Sequence, residues 1–124
     1  MISIIDDDCF AREATGDLIQ SLGYTVDTFP SAEQFLRSGR ANDTSCVITD
    51  VEMPGLSGLD LQQLLRADGN QTPIIFMSGS DEESSRRRAF KHGAVGFLSK
   101  PFDEKSLVEC LARAFNERVT SVGG

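Results

Sequence analysis

The sequence predicts an α/β fold in which one parallel sheet is covered by helices on both faces. Four short apolar runs are continuous rather than alternating, which is typical of strands buried on both sides: residues 2–5, 46–49, 74–77 and 95–98. Helical patterns lie between these runs, and such alternation favours a parallel sheet with right-handed crossovers. At 124 residues, of which 40% are hydrophobic, the chain suffices for one domain with its own core.

The N-terminal part begins with the strand at residues 2–5, after which Asp8 is expected to cap the first helix. This helix ends at Gly23 and carries an apolar residue at every fourth position: Phe10, Ala14, Leu18 and Leu22. Residues 24–29 alternate more than the other runs do, which predicts a second strand nearer an edge of the sheet.

The second and third helices are predicted from a capping pattern and from leucine spacing. Ser31 followed by Gln34 is typical of a capping box that opens a helix. After the strand at 46–49, residues 58–67 form a helical pattern with three leucines on one face: Leu61, Leu64 and Leu65.

The fourth and fifth helices follow the strands at 74–77 and 95–98. Residues 80–83 read SDEE, a second capping box, and the helix that it opens ends at Gly93. Its three consecutive arginines, residues 86–88, are interpreted as a solvated face, with contact to a partner as the alternative. Asp103 is expected to cap the last helix, whose apolar stripe comprises Leu107, Val108, Leu111 and Phe115.

The net charge and the cysteine content limit the classes of protein to which the chain can belong. The formal net charge of −7 argues against direct binding to nucleic acid or a membrane, although solubility alone is another reason for such a charge. Cys9, Cys46 and Cys110 are odd in number and lack the spacing of a metal site. Because neither a signal peptide nor a long apolar stretch is found, we expect a cytoplasmic protein with reduced thiols, of which Cys46 and Cys110 lie in the core.

Polar side chains follow four of the five predicted strands. The first strand is followed by Asp6, Asp7 and Asp8, the third by Asp50, the fourth by Ser78 and the fifth by Lys100. In open parallel sheets the carboxyl ends of the strands share one edge, where function usually resides. We therefore expect carboxylates, a hydroxyl and an ammonium group to meet there.

These residue types suit phosphoryl chemistry. Clustered carboxylates repel one another unless a cation neutralises them, and their hard oxygen ligands suit Mg²⁺. An ion held by Asp7 and Asp50, with Asp6 binding directly or through water, would leave positions for phosphoryl oxygens. Asp50 would attack phosphorus, while Lys100 and the Ser78 hydroxyl would balance charge on the equatorial oxygens.

Each residue alone also has an ordinary explanation. The three aspartates after the first strand could be only the acidic first turn of a helix, and Asp50 a loop acid before a turn. Ser78 could belong to simple turn chemistry, and Lys100 could be a solvated loop lysine. It is their joint occurrence at one edge of a sheet that favours a phosphoryl site.

Four segments resemble the receiver domain of two-component response regulators, in the CheY-like superfamily, over essentially the whole chain. They are residues 5–8 (IDDD), 49–58 (TDVEMPGLSG), 77–79 (MSG) and 97–102 (FLSKPF). The D-x-x-M-P-x-x-x-G stretch with a downstream K-P-F is specific, whereas a pair of aspartates alone is weak. The resemblance implies a flavodoxin-like (βα)5 three-layer sandwich with strand order 2-1-3-4-5. Residues 1–119 would form the receiver and 120–124 a tail or linker.

The resemblance also implies a role for each site residue. Asp50 matches the phosphoacceptor, and a Mg²⁺ or Mn²⁺ ion would be held by Asp6, Asp7, Asp50 and the Glu52 carbonyl. Ser78 matches the switch hydroxyl, Lys100 the phosphate-pairing lysine and Phe97 the switch aromatic. Glu52 and Ser80 border the site and are expected to tune the phosphoryl lifetime. The peptide bond between Lys100 and Pro101 is expected to be cis.

The function implied by the resemblance is signalling by phosphorylation. The donor would be a phosphohistidine of a sensor histidine kinase or phosphotransfer protein. The domain is not an enzyme in the usual sense, although it catalyses its own phosphorylation and dephosphorylation. The phosphoryl group would shift the domain between two states and alter the face formed by helix four, strand five and helix five. A homodimer on phosphorylation and a C-terminal helix-turn-helix output domain are expected partners, with a stand-alone receiver as the alternative.

Three rival functions are weighed against this interpretation. A haloacid-dehalogenase-type phosphatase requires D-x-D-x-T, but Glu52 and Pro54 replace the second aspartate and the threonine. A flavodoxin-type cofactor module needs a phosphate-binding loop after the first strand, where this chain has three aspartates. A receiver that signals by binding alone would not need the complete set of site residues.

Overall fold

Five strands and five α-helices alternate along the part of the chain that the structure describes. The computed structural model describes residues 1–80 and 83–123, with side chains described up to residue 115. The elements are β1 (Ile2–Ile5), α1 (Cys9–Ser21), β2 (Val26–Phe29), α2 (Ala32–Arg37), β3 (Cys46–Asp50), α3 (Gly58–Ala67), β4 (Ile74–Ser78), α4 (Glu83–Lys91), β5 (Gly96–Ser99) and α5 (Glu104–Gly123). The capping box predicted at residues 80–83 lies partly outside the described residues.

The strands form one parallel sheet in the order β2-β1-β3-β4-β5. The flavodoxin-like fold and its strand order are thereby confirmed, as is the position of β2 at an edge. β3 and β4 each run one residue further than their apolar runs, so Asp50 and Ser78 are the last residues of these strands. The division into a receiver at 1–119 and a tail at 120–124 stays a prediction.

Two hydrophobic cores, one on each face of the sheet, make the fold a three-layer sandwich. On one face α2, α3 and α4 cover the sheet, with Phe35, Leu61 and Ala89 among the buried residues. On the other face α1 and α5 pack through Ile19 and Leu107. Each aliphatic side chain buried in this way contributes roughly 1.5–3 kcal/mol relative to an exposed one.

The predicted helix caps at Asp8, Ser31 and Asp103 are present. The Asp8 carboxylate accepts from the Phe10 and Ala11 N–H groups at 3.0 and 3.3 Å. The Ser31 hydroxyl accepts from an N–H in the first turn of α2, and the Asp103 carboxylate from one in the first turn of α5. Such caps satisfy backbone donors that a helix leaves unpaired at its N-terminus.

The predicted apolar stripes were wrong in part. Phe10 is 81% exposed, and Leu64 and Val108 are also exposed. The buried face of α1 instead comprises Thr15, Gly16 and Ile19. An α-helix has 3.6 residues per turn, so residues spaced by four drift around its axis, and a strict four-residue stripe leaves the buried face.

The prediction that Cys46 and Cys110 lie in the core is confirmed. Cys46 and Cys110 are buried in the core between the sheet and α5, and Cys9 is exposed. Burial raises the pKa of the Cys46 thiol to about 12. In the part of the chain that the structure describes, no helix has the length and apolar character needed to cross a membrane.

Candidate functional site

The parallel register brings the predicted site residues to one edge of the sheet. Ile5 pairs with Thr49, the residue before Asp50. Asp50 pairs with Met77, the residue before Ser78. Ser78 in turn pairs with Ser99, the residue before Lys100. The carboxyl ends of these strands therefore lie side by side, and the predicted site residues at or just after them lie at one edge of the sheet.

Lys100 bridges the two most buried carboxylates of this edge. Its ammonium Nζ lies 2.9 Å from Asp6 Oδ2 and 2.7 Å from Asp50 Oδ2. Asp6 is fully buried and Asp50 is 9% exposed. The lysine backbone is held as well, because its N–H donates to the Ser78 carbonyl at 2.7 Å. Its peptide bond to Pro101 is cis, as expected.

Burial and charge shift the ionisation of this pair. Burial raises the pKa of Asp50 above its usual value; the Lys100 hydrogen bond and charge oppose this rise, and the Asp6 charge adds to it. Burial lowers the pKa of Lys100, but hydrogen bonds to Asp50 and Asp6 and their charges outweigh that effect and raise it overall. Asp50 is thus a carboxylate that its surroundings stabilise incompletely, as expected of a functional rather than a purely structural acid.

Three carboxylates of the site lie close enough to share a cation. Oxygen atoms of Asp6, Asp7 and Asp50 all lie within 4.8 Å of one another. The set contains oxygen donors only, runs from the buried Asp6 to the exposed Asp7, and therefore suits a hard ion such as Mg²⁺. The Glu52 side chain is exposed, and its backbone opposes the rise in the pKa of the Asp50 carboxyl.

The start of α1 holds Asp6 in place. Asp6 Oδ1 accepts from the Asp8 N–H at 3.0 Å. The Arg12 guanidinium donates to the Asp6 carbonyl at 2.7 Å. Sequence reasoning missed Arg12, because an arginine one turn into a helix gives no signal of which carbonyl it reaches.

The segment between Asp50 and α3 is tightly packed. A Cβ on Gly58 would lie 2.2 Å from the Asp50 carbonyl oxygen, so only glycine fits there. The Gly58 N–H donates to the Val51 carbonyl at 2.9 Å. Ser57 and Asp60 form a reciprocal capping box that begins α3, which sequence reasoning also missed.

Ser78 and Ser80 are bonded to each other on the neighbouring loop. The Ser78 hydroxyl is buried and donates to the Ser80 carbonyl at 2.8 Å, and the Ser80 N–H donates to Ser78 Oγ at 3.1 Å. The hydroxyl therefore has a partner that it must leave before it can bind a ligand at Asp50.

Phe97 is half-buried and lies between the core and α4. Its ring centroid is 6.4 Å from that of Phe76, which is fully buried. On its other side, Arg86 Cζ lies 5.9 Å from the Phe97 centroid and 5.8 Å from that of Phe90. At least one of the three arginines is thus not a purely solvated residue, because it stacks on aromatic rings.

Comparisons with known proteins agree with this geometry. The family model for the response regulator receiver domain matches residues 2–112. Response regulator protein TodT of Pseudomonas putida is 42% identical over 114 residues, which cover 92% of this chain and 50% of TodT. Transcriptional regulatory protein FixJ of Azorhizobium caulinodans is 40% identical over 107 residues, covering 86% of this chain and 51% of FixJ. The chain spans about half the length of such relatives.

Solved structures show the same fold. A crystal structure of FixJ-N aligns with a TM-score of 0.83 and 31% identity, covering 91% of this chain and 90% of that one. A low-resolution structure of response regulator StyR aligns with a TM-score of 0.86 and 34% identity, covering 98% of this chain and 63% of that one.

Proposed function

The chain belongs to the response regulator receiver domain family, and we propose that it accepts a phosphoryl group on Asp50. The donor is a phosphohistidine of a sensor histidine kinase or of a phosphotransfer protein. The observation that carries this proposal is the buried Asp50 carboxylate, whose Oδ2 lies 2.7 Å from Lys100 Nζ. A neighbouring ammonium favours the ionised form of the carboxylate and provides a charge partner for the oxygens of an incoming phosphoryl group.

Transfer proceeds by attack of an Asp50 carboxylate oxygen on phosphorus. The new O–P bond forms as the P–N bond to the histidine breaks, and the imidazole leaves with the electron pair of that bond. Lys100 then pairs with the phosphoryl oxygens, and the Ser78 hydroxyl turns from the Ser80 carbonyl to one of them. A Mg²⁺ or Mn²⁺ ion held by Asp6, Asp7, Asp50 and the Glu52 carbonyl would supply further neutralisation of phosphoryl charge.

The domain would also remove its own phosphoryl group. Water attacks phosphorus, the O–P bond to Asp50 breaks, and inorganic phosphate leaves while the carboxylate is restored. Glu52 and Ser80 follow Asp50 and Ser78 by two residues each and border this path, so we assign them to tuning the phosphoryl lifetime. The domain acts on itself and is in this sense not an enzyme with a separate substrate.

The effect of phosphorylation would be transmitted to a partner through Phe97 and α4. When Ser78 turns towards the phosphoryl group, its loop moves, and Phe97 gains or loses room beside Phe76. The face of α4, β5 and α5 would then bind a partner, either a second copy or another protein. Because some relatives are named transcriptional regulatory proteins and match this chain over only 51% and 57% of their own length, we infer a helix-turn-helix output domain in a full-length protein. The cytoplasm is the compartment that fits this role.

Phosphorylation by a small donor tests the assignment of Asp50. The protein is incubated with acetyl phosphate or phosphoramidate, with and without Mg²⁺, and the intact mass is measured. We expect a gain of one phosphoryl group that requires Mg²⁺ and is lost in Asp50→Asn. The matched control is Asp17→Asn, which removes an exposed acid from α1 and should retain the adduct. No adduct under any condition, or an adduct that survives Asp50→Asn, would overturn the proposal.

A further inference from the structure

A carboxylate from α2 contacts the loop that follows the phosphoacceptor. Glu33 Oε2 accepts a hydrogen bond from the Leu56 N–H at 3.2 Å, although the two residues are 23 positions apart. We propose that Glu33 is a positioning residue: it fixes residues 51–57, the acceptor loop, and thereby sets the affinity of the Asp50 site for a divalent cation. The inference rests on the proposed function, since it concerns the metal that phosphoryl transfer would use.

Glu33 is well anchored on its own element. It lies in the first turn of α2, where a negative charge is favoured by the helix dipole. Ala32 and Phe35, on either side of it, are fully buried, and Ser31 caps the helix. The carboxylate therefore projects from a fixed base and can restrain a loop that has no regular structure of its own.

The acceptor loop is shaped to receive this carboxylate. Gly55 has a φ of +78°, and a Cβ built on it would lie 2.3 Å from Glu33 Oε2. Only a residue without a side chain thus allows the carboxylate to lie against the backbone at this point. The second oxygen, Oε1, is buried and has no hydrogen-bond partner among the described residues. An unpaired buried acceptor lowers the stability of the fold. Proteins typically retain such a destabilising group where the local geometry serves a function.

The same loop carries the groups nearest the cation site. It leaves β3 at Asp50, and the Glu52 backbone lies close enough to the Asp50 carboxyl to oppose the rise in its pKa. At its far end the Gly58 N–H is bonded to the Val51 carbonyl. Glu33 adds a third restraint at Leu56, between these two. The first part of the loop is also held by the buried side chains of Val51 and Met53. Without Glu33 the later part, around Leu56, loses a restraint, and we expect the Glu52 carbonyl, a proposed ligand, to be held less closely to the carboxylates.

Two measurements on Glu33→Ala test the proposal without any phosphorylation. Hydrogen exchange of the Leu56 amide, followed by NMR in metal-free protein, reports the restraint itself. Binding of Mn²⁺, followed by EPR of the free ion, reports the cation site. We expect faster exchange at Leu56 and a dissociation constant for Mn²⁺ that rises about tenfold, as for other groups that orient metal ligands. Gln34→Ala, which changes an exposed neighbour on the same helix, should alter neither.

Two further variants keep the test decisive if Glu33→Ala folds poorly. Glu33→Gln retains an acceptor for the Leu56 N–H and should preserve both protection and Mn²⁺ affinity to a larger extent than alanine does. Gly55→Ala displaces the carboxylate from the other side and should weaken Mn²⁺ binding. In the double variant that combines Gly55→Ala with Glu33→Ala, the dissociation constant for Mn²⁺ should rise by less than the product of the two single-variant factors. The reason is that both substitutions remove the same contact.

Unchanged exchange at Leu56 in Glu33→Ala would overturn the proposal, because the contact would then not hold the loop. Faster exchange with unchanged Mn²⁺ affinity would also overturn it, because the contact would be structural only. Failure of Asp50 to accept a phosphoryl group, with Mn²⁺ affinity still dependent on Glu33, would refute the proposed function and leave the positioning role intact.

Discussion

Lys100 is the residue on which the charge balance of the site depends. One ammonium serves two buried or nearly buried carboxylates, Asp6 and Asp50, and the exposed Asp7 adds a third negative charge nearby. The cluster therefore keeps net negative charge even with its lysine in place. Such a site is poorly stabilised alone, and under the proposed function a divalent cation would relieve the repulsion before a phosphoryl group arrives.

The pH dependence of the stability of Asp50→Asn, compared with that of the native protein, should show that the fold destabilises the ionised Asp50 carboxylate. The pKa of Asp50 is raised in the folded protein, chiefly by burial, so the folded state binds this proton more tightly than the unfolded state does. The native protein therefore loses stability as the pH rises from the unfolded pKa of Asp50 through its folded pKa. Asparagine does not titrate, so the melting temperature of Asp50→Asn minus that of the native protein should increase as the pH rises from the ordinary pKa of an aspartate through the raised pKa of Asp50.

Thermal melts in metal-free buffer at a series of pH values would measure this difference. The control is Asp17→Asn, which removes one negative charge from the exposed surface of α1 and separates the local effect from that of net charge. A difference that falls with pH would mean that Lys100 stabilises the ionised Asp50 by more than burial destabilises it.

At the scale of the elements, α4 is the helix held by the fewest buried side chains. Within its described residues only Ala89 is buried, whereas α3 buries five residues. Contacts with side chains of two other elements hold α4, one near each end of the helix. Gln62 of α3 is fully buried and donates to the Ala89 and His92 carbonyls at 3.1 and 3.2 Å. Near the other end Arg86 stacks on Phe97 of β5. Elements with little buried surface are those that move at low cost, which suits a switching face.

Arg86→Ala should loosen α4 and release Phe97. A cation–π contact at an exposed site contributes about 0.5–1 kcal/mol, which corresponds to a roughly two- to fivefold increase in amide exchange if α4 opens locally. We also expect the ring resonances of Phe97 to shift. The measurement is hydrogen exchange and aromatic NMR on the unphosphorylated protein.

The adjacent Arg87→Ala is the matched control for this variant. Among the described residues Arg87 makes an exposed ion pair with Glu83 at 3.8 Å, and such pairs contribute little to stability. Equal effects of the two substitutions would show that the charge of the helix matters and that stacking on Phe97 does not.

At the scale of the whole molecule, the sequence predicts what depends on local pattern. The strands can be predicted because parallel strands buried on both faces are continuous apolar runs in the sequence. The helix caps can be predicted because Asp8, Ser31 and Asp103 hydrogen-bond backbone N–H groups within the first turn of their own helices. The order of the strands is not contained in periodicity, and it came from the resemblance to receivers. Contacts such as Glu33 with Leu56 depend on how distant segments pack, and no local pattern indicates them.

Binding of Mg²⁺ should stabilise the whole domain, because the proposed cation site exists only when the ends of two strands distant in sequence, β1 and β3, are assembled. A ligand at ten times its dissociation constant that binds only the folded state stabilises by about 1.4 kcal/mol, or roughly 5 °C in melting temperature for a domain of this size. Thermal melts with increasing Mg²⁺, at ionic strength matched with NaCl, would measure the rise. Asp7→Asn removes an expected ligand and should reduce it strongly, whereas Asp43→Asn, an exposed acid in the turn before β3, should not. An equal rise in Asp7→Asn would locate the stabilising ion elsewhere on this acidic protein and remove the thermodynamic basis for a cation at Asp50.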